Sequence, residues 1–311
     1  MSSAIRFLSA TTLLLFASCE SNHLLKEVKL LDYPSASAIE YFDNKLYVMG
    51  DDANYMLVLD SSFNIIDSLT FFDHPEKRIP KNVKPDLEAM TTIYAANESM
   101  LLSIGSGSLS PNRNAGYMLH YRTSEKSEMR LDSFYSAVSS MGIKEMNIEG
   151  LCALTPNLVL ANRGNLSYRS NHLIITSLAV MSGRLQGPIT LMRVGGNEDS
   201  TEFKGISGLA YSRKSDRLIM TVSTEATTNA MDDGEIGKSY LWIIRNFNSK
   251  RNWKAVNPDV VIDLEEVDAR FKKQKIESVC IVKETRDFMH LVLAADNDNG
   301  SSTLFRVVIE K

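Results

Sequence analysis

One short pattern returns five times along the 311-residue chain: a polar residue, a small residue, then an apolar run. It reads Ser37-Ala38-Ile39, Glu88-Ala89-Met90, Glu149-Gly150-Leu151, Ser207-Gly208-Leu209 and Glu277-Ser278-Val279. A turn and a second β-rich run follow each copy (LYVMG, MLLSIG, LVLAN, RLIMTVS, HLVLAAD). A third run comes next (YMLVLD, YMLHYR, HLIITSL, YLWIIR, TLFRVVI), and in most copies a weaker fourth. Successive copies start 51, 61, 58 and 70 residues apart, which suits four short strands and variable loops. Radial repetition of such units protects sheet edges, so the chain is predicted to be all-β, a β-propeller of five four-stranded blades. The last unit has only three clear strands. The run LKEVKLL at residues 25–31, ahead of the first copy, supplies its fourth and closes the ring. Six blades is the alternative if the 70-residue spacing merges two units; a solenoid would not need its ends to complete one another.

Composition agrees with a packed domain. Hydrophobic residues make up 44% of the chain and charged residues 23%, which excludes a disordered chain, a collagen-like fibre and a polytopic membrane protein. With 34 Lys and Arg against 38 Asp and Glu, no global basic field exists to hold nucleic acid. Three cysteines are too few for a disulfide framework. Cys152 and Cys280 share one repeat position in blades separated by another, so they are expected beyond the roughly 7 Å limit for bridging and read as buried packing thiols.

The N-terminus reads as an address. Residues 7–18 are uncharged and mostly apolar, too short for a membrane span but suited to a signal peptide. The string Phe16-Ala17-Ser18-Cys19 resembles the lipobox of bacterial lipoproteins. On that reading residues 1–18 are a signal peptide, Cys19 is lipidated, residues 19–24 form a tether and residues 25–311 form one propeller domain. The expected location is the bacterial cell envelope, membrane-anchored and facing the periplasm or the cell surface. An ordinary cleaved signal is the alternative.

In a propeller the innermost strand of each blade leaves one face and the second strand returns to it. Glu88, Glu149 and Glu277 are therefore expected to meet Asp51, Asp52, Asn162, Arg163, Glu225, Asp296 and Asp298 around one mouth of the channel. Converging carboxylates repel unless something positive sits among them. Ca²⁺, which takes six to eight oxygens, is the expected cofactor, with Asp51, Glu88, Glu149, Glu277 and Asp296 as ligands. A cationic ligand group, or Lys84, Lys204, Lys275 and Arg163, could neutralise them instead, and the repeated Glu could equally only fix register between blades. The long loops 73–86, 133–147, 226–239 and 264–275 are expected on this same face. Asp296 opens no EF-hand, since Gly300 and Val307 stand where ligands are required. Asn299-Gly300 is expected to make a hairpin turn. The phosphate-loop-like segment 232–239 lacks its first glycine, so no nucleotide is expected. The five histidines lack metal-ligand spacing.

The strings SASAIEYFDNKLYVMGDDAN, KPDLEAMTTI, NIEGLCAL, KGISGLAYS, KIESVCIV and LVLAADNDNGSSTLF resemble the bacterial phytase-like propellers, the group with esterase-like activity of phytase, in its lipoprotein branch. More distantly the chain is similar to the SdiA-regulated and gluconolactonase/regucalcin propellers. The resemblance implies hydrolysis of phosphate or carboxylic esters with a metal in the channel. By motif position it places such a site on Glu149, Glu88 and Glu277, with Asp51 and Asp296; if the protein is an enzyme, these glutamates are the expected catalytic residues and Lys84, Arg163, Lys204 and Asn162 are expected to hold an anionic substrate. Ser37 and Ser207 interrupt the ring of acids. A non-catalytic propeller that holds a small anionic ligand, an envelope protein or a glycan is the rival expectation.

Overall fold

Alternation along a single strand decides how the sheets stack. In the run KLYVMG, Leu46 and Val48 pack into one apolar cluster, Tyr47 and Met49 into another, because successive side chains leave a strand on opposite faces. Both faces are apolar, so this sheet has to sit between two others. The computed structural model describes residues 22–95, 97–195, 202–225, 228–229, 236–296 and 300–311. The signal segment, Cys19, Asp298, Asn299 and the acidic stretch 230–235 lie outside the described residues, as does the side chain of Glu225.

An initial strand, β1 (His23–Leu30), precedes the first blade. Blade one is β2 (Ala36–Phe42), β3 (Lys45–Gly50), β4 (Tyr55–Asp60) and β5 (Ile65–Thr70). Blade two is β6 (Leu87–Ala95), β7 (Glu98–Gly105), β8 (Ala115–His120) and β9 (Lys126–Arg130). Helix α1 (Asp132–Ser140) leads to blade three: β10 (Ile148–Leu154), β11 (Asn157–Asn162), β12 (Asn171–Ser177) and β13 (Thr190–Val194). Blade four holds β14 (Lys204–Ser212), β15 (Arg217–Glu225) and β16 (Ile236–Arg245). An excursion then lends a two-residue strand, β17 (Ala255–Val256), to the edge of blade three before β18 (Val260–Asp263) completes blade four. That excursion fills the long fourth spacing and removes the six-blade alternative. Blade five is β19 (Ile276–Glu284), β20 (Phe288–Asp296) and β21 (Ser302–Glu310), with β1 as its outer strand.

Five apolar clusters each join one pair of adjacent blades, so the ring closes. The cluster between blades five and one combines Val292, Ala294 and Leu304 with Ile39, Leu46 and Leu57. Each inner strand starts at the funnel face and runs away from it. The antiparallel register of β1, from His23 opposite Val308 to Leu30 opposite Ser302, therefore starts β1 on the face opposite the funnel.

Candidate functional site

The repeat has a physical meaning. In all five inner strands the pairing slips by one residue at the same place, between Ala36 and Ala38, Leu87 and Ala89, Ile148 and Gly150, Ile206 and Gly208, and Ile276 and Ser278. The extra residues are Ser37, Glu88, Glu149, Ser207 and Glu277, the polar first residues of the five copies. A β-bulge of this kind bends the strand and re-aims the unpaired side chain. The small residue after it answers to crowding: a Cβ on Gly208 would lie 2.8 Å from the Cα of Ser278 in the next blade.

The two serines of this ring tie blades together. Ser37 Oγ donates to Leu87 O (2.8 Å) and Ser207 Oγ to Ile276 O (2.5 Å). The three glutamates line a cavity of about 450 Å³ at the channel mouth. Above them stand residues preceding four of the inner strands (Ser35, Asp86, Asn147, Lys275) and residues at or just past the ends of three second strands (Asp51, Arg163, Asp296). Backbone hydrogen bonds join the two sets, from Asp51 N to Ser35 O, Arg163 N to Asn147 O and Asp296 N to Lys275 O. Loop 73–86 reaches the cavity as expected, through Glu76, Arg78, Lys81 and Lys84.

Charge divides the funnel in two. On one side the carboxylates of Asp51, Asp86 and Glu88 each place an oxygen within 4.8 Å of the others. Lys84 Nζ bridges Asp51 and Asp86, lying 2.8 Å from Asp86 Oδ1. The buried guanidinium of Arg113 donates to Asp86 Oδ2 at 2.6 Å, and Arg78 pairs with Asp52 at 2.7 Å. On the other side Arg163 stands between Glu149 and Glu277, 3.8 Å from Oε2 of each. Lys275 lies 3.1 Å from Glu277 Oε1, and Asn147 Nδ2 donates to Glu149 Oε1 at 2.7 Å. Arg163 reaches this place by lying across Gly205 of blade four, where a Cβ would come 2.4 Å from its Nε.

Burial pushes Glu88 well above the ordinary carboxylate range, and the charges of Asp51, Asp86 and Glu149 add to it. Burial likewise raises Asp51 to about 6, against the lowering pull of Lys84. Burial works against the charge on Lys84, but Asp51, Asp86 and Glu88 outweigh it and hold its pKa above the usual lysine value. Buried oxygens Asp51 Oδ1 and Asp52 Oδ1 accept no hydrogen bond among the described residues. Hard oxygen donors this close together, one left without a donor, fit a divalent cation such as Ca²⁺. Lys84 occupies the same carboxylates, so it is the group such an ion would displace.

The structure brings Asp51, Glu88, Glu149, Glu277, Asp296, Lys84 and Arg163 into one cavity. Asn162 is fully buried beneath it, accepting from Asn147 N and donating to Glu145 O and Arg163 O. Lys204 does not line it and lies 4.7 Å over the ring of Tyr240. Asp86 and Arg113 were not anticipated. Asp86 precedes its bulged glutamate by two residues, as Asn147 and Lys275 do, so aligning the repeats two residues further upstream exposes it. Arg113 sits in a loop of blade two without repeat signal. At the far end of the channel a second cavity of about 200 Å³ holds Glu40, Thr91, Cys152 and Cys280. There burial raises Glu40 to about 7, and both cysteines are free.

The model of one protein family, described as a family of unknown function (DUF6929), matches residues 32–309. Among solved structures the chain is similar to the glutaminyl cyclase of Myxococcus xanthus. The TM-score is 0.52 and the identity 10%, with 94% of this chain and 97% of that one covered. It is also similar to virginiamycin B lyase from Staphylococcus aureus, with a TM-score of 0.44, 10% identity and coverage of 93% and 100%. Such likeness bears on the fold alone. No curated protein matches the sequence.

Proposed function

The chain belongs to the DUF6929 family, whose function is unknown, and we propose that its funnel binds a divalent cation, Ca²⁺ foremost, beside a small anionic ligand. The observation that carries this reading is the trio Asp51, Asp86 and Glu88, whose oxygens lie within 4.8 Å of one another. These three would hold the ion, while Arg163, Lys275 and Arg113 face the ligand space. A bound ion would supply Lewis-acid polarisation. Hydrolysis of a phosphate or carboxylic ester is the reaction class the phytase-like resemblance attaches to such a funnel. In that class Glu149, outside the trio and held by Asn147, is our assignment for the group that takes the proton of water.

Metal binding is expected to be visible in stability. At one hundred times its dissociation constant, Ca²⁺ should stabilise metal-stripped protein by about 2.7 kcal/mol in thermal or denaturant melts. Proton and metal compete for the same oxygens, so the gain should grow as pH rises through about 6, where Asp51 loses its proton. Glu88→Gln should abolish the response and Lys84→Met should strengthen it. Identical melts with and without Ca²⁺ at pH 8 refute the site. In a panel of chromogenic phosphate and carboxylic esters, turnover that follows the metal and falls at least about 100-fold in Glu149→Gln supports hydrolysis; turnover unaffected by that change removes Glu149 from the chemistry.

The envelope reading belongs with this proposal. Lipidation of Cys19 would hold the propeller at a membrane through a short tether. Cys19→Ser should move the protein from the membrane to the soluble envelope fraction, and unchanged partitioning counts against the anchor.

A further inference from the structure

The face opposite the funnel carries charge of the other sign. The β14–β15 turn there carries Arg213, Lys214 and Arg217, and the segment that leaves β16 carries Arg245, Lys250 and Arg251 before Lys254, which climbs the outer flank of blade three toward β17. Residues 213–217 and 245–259 hold these seven cations against only Asp216 and Asp259, in a chain whose formal charge is −4. The acids are committed: Asp216 accepts from Tyr211 Oη (2.9 Å) and Asn248 N (2.8 Å), and Asp259 pairs with Lys250 (2.9 Å). Lys214 also donates to the backbone of neighbouring Glu284. Arg217 and Arg245 are direct cross-strand partners, a like-charge pairing that costs stability in an antiparallel sheet. Glu284 is the acid that acts on Arg217, and an anionic surface outside the molecule would further offset the repulsion of this like-charge pair.

Two large apolar side chains are exposed along the lower outer edge of blades three and four. Trp253 is 52% exposed and Leu185, at the neighbouring lower edge of blade three, is 63% exposed. Lys250 Nζ lies 5.8 Å over the Trp253 ring. A cation beside an exposed indole suits a lipid interface, where an amphipathic ring settles at headgroup depth. The start of β1 lies on this same face, so residues 19–23 would allow at most about 14 Å between a lipidated Cys19 and the ring.

We propose that this lower corner of blades three and four docks on an anionic phospholipid bilayer, with Trp253 and Leu185 dipping among the headgroups and the funnel facing away. The anchor reading supplies the orientation, but the patch is tested without it. The chain from residue 22 onward holds every strand of the ring, so it can be studied unlipidated. It should co-sediment with phosphatidylglycerol–phosphatidylcholine vesicles at low salt, much less at high salt, and not with phosphatidylcholine alone. Trp242 is 1% exposed, so a blue shift of tryptophan emission on adding anionic vesicles reports Trp253. Arg251→Gln with Lys254→Gln, neither of which anchors the core, should lower partitioning about 30-fold, and Trp253→Phe should abolish the shift.

No co-sedimentation with anionic vesicles overturns the proposal. So does co-sedimentation indifferent to the Arg251 and Lys254 changes. Tight binding to heparin or RNA without vesicle binding overturns it in favour of a polyanion surface. Membrane release of full-length Cys19→Ser tests only the anchor, so the two readings fail separately.

Discussion

Removing residues 22–31 is expected to abolish the soluble, cooperatively folding state, whereas removing only residues 1–21 is expected to leave it intact. β1 pairs with β21 along nearly its whole length, from His23 opposite Val308 to Leu30 opposite Ser302. Without it β21 becomes a nine-residue edge, Ser302–Glu310, whose exposed donors and acceptors invite pairing with another chain. The apolar cluster between blades five and one also loses Leu30 and the flanking Val28. In a ring this damage has no remote compensation, because each blade is held only by its two neighbours. Amide hydrogen exchange checks the cause: Val28 and Leu30 amides should be protected together with those of Phe305 and Val307. A shortened protein that stays monomeric and melts where the intact one does shows that β1 is dispensable.

Arg163→Ala should be the most damaging single substitution in the funnel. It leaves Glu149 and Glu277, with side chains 12% and 7% exposed, to face each other without the guanidinium between them. Stripping one partner from a buried charge cluster costs about 3 kcal/mol, read as a shift of the denaturation midpoint. The double change Arg163→Ala with Glu149→Gln should recover much of it, and Arg163→Lys little, since one ammonium does not reproduce a planar fork spanning two carboxylates. A single variant as stable as the parent at pH 8 would mean that Lys275 and solvent already neutralise the pair.

Why one part of the site was readable from the residues and another was not follows from local geometry. The bulge fixes both the polar residue and the small residue behind it, so Ser37, Glu88, Glu149, Ser207 and Glu277 stand out as a repeat. Strand alternation makes the neighbouring assignments unforgiving, since a one-residue offset changes the face. Lys204 lies three residues before its bulge and packs over Tyr240, whereas Lys275, two residues before its own, lines the cavity. Asn162 is buried, yet Arg163, next in the chain, crosses the funnel. The geometry of the cations was harder to read than their presence. Lys84, Lys275 and Arg163 were legible as cations near the acids, but that Arg163 acts across Gly205 of another blade was not, and Arg113 comes from a loop of blade two without repeat signal. The five-blade count was readable because strands were missing at one end and spare at the other.

The clasp between β1 and β21 also sets a timetable for biogenesis. Among the described residues the first strand of the chain is the partner of the last, with a sequence separation of 285 between His23 and Val308. At roughly 5–20 residues per second of synthesis, β1 waits on the order of tens of seconds with no partner. Blades one to four can assemble in that interval, but the fifth cannot. Until the C-terminus emerges the nascent chain is an open horseshoe with a free strand at one end, a natural client for a holding chaperone. A stop codon or frameshift anywhere before residue 302 therefore does more than shorten the protein: it leaves β1 without its partner strand, an unpaired edge open to other chains.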